Sequence, residues 1–128
     1  MESAAKFLEP FTWEMVTAQN ALLCKAKDAF HGPTSDGNEA TRKLWEENHR
    51  QPMTLGDALD LCRRCHRMAP FCFYNGNTFS SVVLLVIKKL GLPPDQEILA
   101  RSLAGHIVAG VATSEEEKAF RELCQRLG

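Results

Sequence analysis

Residues Phe79 to Leu90 constrain this chain more than any other stretch, because the block is too long for an ordinary strand and too short for a membrane span. Val82, Val83, Val86 and Ile87 are β-branched and would suit a sheet. Against that, the block runs for twelve residues and closes with Lys88, Lys89 and Gly91. Cations at the negative end followed by a residue free to turn left-handed are how a helix stops. Its longest uninterrupted apolar run, Val82 to Ile87, falls far below the roughly 18 residues a spanning helix needs. The block therefore reads as a central helix that other elements of the chain must cover.

The covering elements are legible from periodicity and punctuation. Residues 12 to 30 place Trp13, Val16, Leu23, Cys24 and Phe30 at helical spacings, with Thr12 as cap. His31 to Gly37 gathers Gly, Pro and short polar residues and reads as a loop, while 1–10 reads as an N-terminal arm. Asn38 to Arg50 is a polar helix pinned by Leu44 and Trp45, and Leu55 to Met68 a third helix behind the cap Thr54. Pro94 opens a helix over 95–112, whose small residues Ser102, Gly105 and Ala109 form a stripe suited to close approach by the 79–90 helix. Ser114 and Glu117 read as the capping box of the last helix, to Leu127. The expected architecture is all-α: a compact single-domain bundle of five to six helices over 1–128.

The segment 71–80 admits an alternative, a short β-hairpin. Asn75-Gly76 is a strong two-residue hairpin turn, and aromatics lie on both sides of it. Asn77 and Thr78 serve equally well as the N-cap of the helix that follows.

Composition narrows the function classes. With 45% hydrophobic and 24% charged residues the chain is an ordinary globular sequence of 128 residues, long enough to build a core without staples. A net charge of -1 gives no long-range attraction to nucleic acid or anionic lipid, so neither partner is expected. The N-terminal residues lack a secretory pattern. Five cysteines, an odd number, then read as reduced thiols in a cytoplasmic protein.

Residues 62 to 79 hold the densest collection of chemically capable groups. Cys62-Arg63-Arg64-Cys65-His66 matches the c-type haem attachment pattern, but it falls inside a helix with its cysteines toward the core and without an export signal. Zinc could be held by Cys62, Cys65 and Cys72 with His66, His106 or Cys124 as a fourth ligand, although a second closely spaced pair is missing. A thioredoxin-like dithiol would sit at a helix N-terminus rather than near its C-terminal half. His106, among Leu103, Ala104, Ile107 and Val108, reads as a core histidine; His31 and His49 read as exposed. No triad, phosphate loop or paired-carboxylate motif stands out, so an enzyme is not the favoured reading.

The leading functional expectation is a non-enzymatic protein-interaction or regulatory module with its binding surface around residues 63–78. Arg63, Arg64, Arg67, Tyr74, Asn75, Asn77 and Thr78 would present cations, amides and hydroxyls at a helix N-terminus, a setting that suits a carboxylate or phosphate on a protein partner. The alternative is a metal-binding or thiol-redox domain using Cys62, Cys65, His66 and Cys72, with zinc as its cofactor. A small-ligand enzyme would instead require Tyr74, Asn75 and His66 to converge on one deep pocket.

Overall fold

A computed structural model describes residues 3–127. Six helices follow one another: α1 (Trp13–Ala26), α2 (Asn38–Asn48), α3 (Leu55–Arg67), α4 (Asn75–Lys89), α5 (Pro94–Ala109) and α6 (Ser114–Leu127). Among the described residues the only bridges of β type are isolated ones, Ala5 with Met53 and Pro33 with Phe71, so the bundle is all-α.

Helix α4 is the hub. It packs most extensively on α5 and also against α3 and α1. Phe79, Val82, Val83, Val86 and Ile87 are all buried. Burying each such side chain is worth about 1.5–3 kcal/mol, whereas a β-branched residue costs a helix less than about 0.7 kcal/mol in propensity, so packing decides the conformation. The hairpin alternative at 71–80 is not what forms. Asn75-Gly76 is instead the first turn of α4, because a hairpin there would leave no helix to carry this apolar face inward.

Local capping agrees with the sequence at two sites and departs from it at two others, the first being α4, which starts behind Tyr74 without a side-chain cap and so holds Asn77 and Thr78 inside its first turns rather than at its N-cap. The Thr12 and Thr54 hydroxyls accept from the amides of Met15 and Asp57 at 3.2 and 3.1 Å. The α6 box forms one residue earlier than the Ser114/Glu117 pair. Thr113 Oγ1 accepts from the Glu116 amide at 3.1 Å, and a Glu116 carboxylate oxygen accepts from the Thr113 amide at 3.0 Å. Helix α1 stops at Ala26, short of Phe30, with Asp28 at φ 53°. Helix α5 stops at Ala109, where Gly110 takes φ 78° and its amide reaches back to the Ile107 carbonyl.

The face of α5 turned to the core is Ala100, Leu103, Ala104 and Val108. The expected stripe of Ser102, Gly105 and Ala109 lies outside it: Ser102 and Ala109 are exposed, and a Cβ on Gly105 would meet nothing within 4 Å. His106 is likewise no core residue. It faces outward and pairs with Glu116 across the α5–α6 turn.

Trp45 anchors α2 from full burial. Its indole N–H donates to the Phe11 carbonyl at 2.8 Å, and its ring leans on Phe79. His49, expected at the surface, is 3% exposed. It stacks on Trp45 one helical turn earlier, and its Nδ1–H donates to the Leu8 carbonyl at 3.2 Å. Together with the paired hydrogen bonds between Ala5 and Met53, both 2.9 Å, these contacts fasten the N-terminal arm to the bundle.

Two outcomes follow from these placements. Gly105→Ala should raise unfolding stability by about 0.5–1 kcal/mol, measured by urea denaturation, since the methyl enters open space and the helix loses its glycine penalty. Glu116 is held below the ordinary carboxylate range, chiefly by its hydrogen bond from His106. Its contribution to stability should accordingly be full above the ordinary glutamate range and fade as pH falls through the lowered value. Carboxyl NMR titration should show the Glu116 midpoint moving up toward the ordinary range in His106→Ala.

Candidate functional site

The turn from α3 into α4 is held more tightly than a connection of its length requires. At the end of α3, Ala69 occupies the left-handed position a helix usually gives to glycine, with φ 48°. Loop 32–38 docks against the segment this creates. The Thr34 hydroxyl donates to the Ala69 carbonyl at 2.7 Å, and the Thr34 amide and Asn38 side chain donate to the Pro70 carbonyl at 3.0 and 2.9 Å. The Cys72 amide donates to the Gly32 carbonyl at 3.0 Å. Gly37 is required for this fit, because a Cβ there would lie 2.1 Å from the Met68 carbonyl oxygen.

Phe71 plugs the turn into the core. Its ring is 2% exposed and stacks on Trp13 with centroids 5.7 Å apart. Asn75 then clamps the Phe71 backbone from both sides, accepting its N–H at 2.9 Å and donating to its carbonyl at 2.8 Å. Tyr74, between them, is driven to φ 60°.

Beneath the turn lies Asn20, fully buried on α1. Its amide nitrogen donates to the Phe73 carbonyl at 2.7 Å and to the Thr78 hydroxyl at 3.0 Å. Its oxygen accepts from His31 Nδ1 at 2.9 Å and from the Cys24 thiol at 3.6 Å. The Thr78 hydroxyl in turn donates a hydrogen bond to the Tyr74 carbonyl at 2.7 Å. Sequence reasoning missed Asn20, although a signal was there: it is the one polar residue in the buried series Trp13, Val16, Asn20, Cys24 of α1.

The residues named from sequence separate into different roles. Asn75 and Thr78 face inward and build the turn. Arg63 pairs with Glu117 of α6 at 3.6 Å. Arg64 borders a groove shared with Asn48, Asp57 and Asp60. Arg67 is exposed at the last residue of α3, and Tyr74 and Asn77 sit half-buried and exposed at the start of α4. His66 donates from Nδ1 to the Val108 carbonyl at 2.9 Å and lays its ring against Gly76, where a Cβ would come within 3.2 Å of it. With both ends of the Asn75 amide and the His66 Nδ1 committed to backbone groups, these side chains act as fasteners rather than as a converging catalytic set.

Two apolar side chains remain outside this packing. Phe73 is 50% exposed and Phe30 is 69% exposed. The Phe30 ring lies over Gly32, whose carbonyl holds the Cys72 amide, and the Phe73 ring leans on Tyr74. Beside them the N-terminus of α4 carries neither a side-chain cap nor an acid in its first turn.

The cysteines are dispersed. All five are free thiols; Cys62 and Cys65 are buried and Cys72 is exposed. Among the described residues no three His, Cys, Asp or Glu side chains come together in a way that could hold a metal ion, so Cys62, Cys65, His66 and Cys72 are not assembled as a site. Burial, reinforced by the adjacent Cys65, pushes the Cys62 thiol well up; burial likewise pushes Cys65 up to about 12, against a partial offset from Arg64. Both are protonated small hydrophobes at neutral pH rather than nucleophiles. No helix among the described residues is long and apolar enough to cross a membrane.

Comparison with known proteins finds no matching family, no matching curated relative and no matching solved structure.

Replacing Asn20 by the near-isosteric leucine should destabilise the fold by at least about 2 kcal/mol, because it removes the hydrogen bonds to the Phe73 carbonyl and to the buried Thr78 hydroxyl beneath the turn. Hydrogen exchange should show the loss of protection concentrated in residues 71–78. A uniform loss across all six helices would instead make Asn20 a general core residue.

Proposed function

We propose that the protein is a non-enzymatic, cytoplasmic protein-interaction module that binds its partner on the outer side of the 69–78 turn, with the adjoining 30–33 loop. One observation carries this reading. The turn holds two non-glycine residues, Ala69 and Tyr74, in left-handed conformations above a buried hydrogen-bond network, and still leaves Phe73 and Phe30 in solvent. Left-handed geometry at such residues costs about 1–2 kcal/mol each, and strain of this kind concentrates where a loop must be preformed for binding. A rigid turn bearing exposed aromatic side chains has already met the ordering cost that association otherwise imposes.

The surroundings indicate the partner's chemistry. The α4 N-terminus offers amide groups and a positive helix end, and Arg67 is exposed at the last residue of α3. A partner segment with an apolar anchor followed by a carboxylate or phosphate would satisfy both features. Nucleic acid is disfavoured by the net charge of -1. Five free thiols, four of them buried, fit a reducing cytoplasm.

The test compares wild type with Phe73→Asp in affinity capture from native extract, followed by direct titration of each purified candidate. Both proteins should melt alike, since Phe73 is half exposed, while a genuine partner should bind the variant about tenfold or more weakly, as expected for an aromatic anchor. Binding should also fall with rising salt. Partners that bind both forms equally, across the candidates recovered, would overturn the proposal.

A further inference from the structure

The hydrogen bonds beneath the 69–78 turn leave no choice in where their hydrogens lie. A carbonyl oxygen only accepts, so the Asn20 side-chain atom 2.7 Å from the Phe73 carbonyl is its nitrogen. The Thr78 hydroxyl donates to the Tyr74 carbonyl, so toward Asn20 it accepts. Both hydrogens of the Asn20 amide are thereby used, and its oxygen faces His31 Nδ1 at 2.9 Å and the Cys24 thiol at 3.6 Å. His31 Nδ1 therefore carries a hydrogen whether the ring is neutral or charged. In the neutral ring the lone pair is left on Nε2.

A fully buried side chain thus orients an exposed one, since Asn20 lies inside the bundle and His31 at its surface. The backbone beside the ring is held as well, by the bridge of Pro33 with Phe71 and the bond from the Cys72 amide to the Gly32 carbonyl. The Phe71 ring flanks the imidazole with centroids 6.1 Å apart. His31 is tied to both exposed aromatics. Phe30 precedes it in the chain, and the amide that holds its ring also holds the Phe73 carbonyl.

We propose that His31 is the specificity-determining contact for the partner's anion: its ring takes a second proton at Nε2 and donates from there to a carboxylate or phosphate. This rests on the interaction surface proposed for the 69–78 turn and names one contact within it. Protonation at Nε2 adds a charge and an outward donor, and it leaves the bond from Nδ1–H to Asn20 intact because the Asn20 oxygen accepts in either state. The turn need not rearrange. Against the ring stand the Asn20 amide of α1, with the Cys24 thiol on the same oxygen, and Phe71 of the turn. Among the described residues no carboxylate pairs with His31, so a partner's anion meets no internal competitor. An anion that prefers the protonated ring binds more tightly as pH falls through the histidine range, and its binding takes up a proton.

One measurement needs no partner. Long-range proton–nitrogen NMR of the full chain at about pH 8 should find neutral His31 in the Nδ1–H form, the tautomer free histidine favours less. A ring carrying its hydrogen chiefly on Nε2 would overturn the assignment. Phenylpropionate, an aromatic ring joined to a carboxylate, is then titrated at about pH 8 and about pH 5.5 at one ionic strength, with backbone amide shifts as the readout. Wild type should bind about two- to fivefold more tightly at the lower pH, the scale of an exposed ion pair, and His31→Ala should lose that difference. Equal binding at both pH values, or a difference that survives in His31→Ala, removes the role of His31; if Phe73→Asp still weakens binding, the interaction surface stands without it. Binding that Phe73→Asp leaves unchanged, or none at all, overturns both.

Discussion

Everything in this fold is arranged around the need to keep one helix out of water. The β-branched inner face of α4 has no intrinsic preference for helix. It is helical because α5, α3 and α1 enclose Phe79, Val82, Val83, Val86 and Ile87. Trp45 reaches Phe79 from α2, so a helix that is otherwise polar is drawn into the same core. The arm then follows, since the Phe11 and Leu8 carbonyls hydrogen-bond to Trp45 and to His49 stacked upon it.

Enclosing α4 sets the geometry of its entrance. The chain leaves α3 at Arg67 and must begin α4 at Asn75 within a short span. Phe71 enters the core part-way across, and the backbone accommodates it through left-handed turns at Ala69 and Tyr74. Neither residue favours that conformation, so surrounding groups impose it: Thr34 and Asn38 on the Ala69 and Pro70 carbonyls, Asn75 on Phe71, and Asn20 below. Local preference and tertiary demand conflict here more than anywhere else in the molecule. It is also where aromatic side chains are left in solvent, and that coincidence gives the proposed binding surface its physical basis.

Residue type proved a poor guide to role wherever a side chain can serve several. Cys62, Cys65 and His66 spell a haem or metal motif in the sequence, yet two of the three sit in the core as protonated thiols and the histidine is tied to a backbone carbonyl. His106 and His49 exchange the places expected of them. His106 has apolar sequence neighbours but faces outward on α5, while His49 caps the end of a polar helix but falls one turn after Trp45 and shares its burial. Immediate neighbours in sequence do not define a helix face; residues three and four apart do.

The sequence by itself determined the helical class, the single bundle, the loop at 31–37, the caps at Thr12 and Thr54 and the centrality of the 79–90 block. These rest on periodicity and on local backbone chemistry, which act within a few residues. It also singled out residues 63–78 as chemically dense, without separating the residues that build the turn from those it displays. Only tertiary structure decided that Asn75 and Thr78 point inward, that Arg63 turns to α6, that the box at α6 belongs to Thr113 and Glu116, and that Asn20, some fifty residues away in sequence, supports the turn. Each of these depends on which groups are left without water once the helices close. That is a property of the packed chain, and no local pattern encodes it.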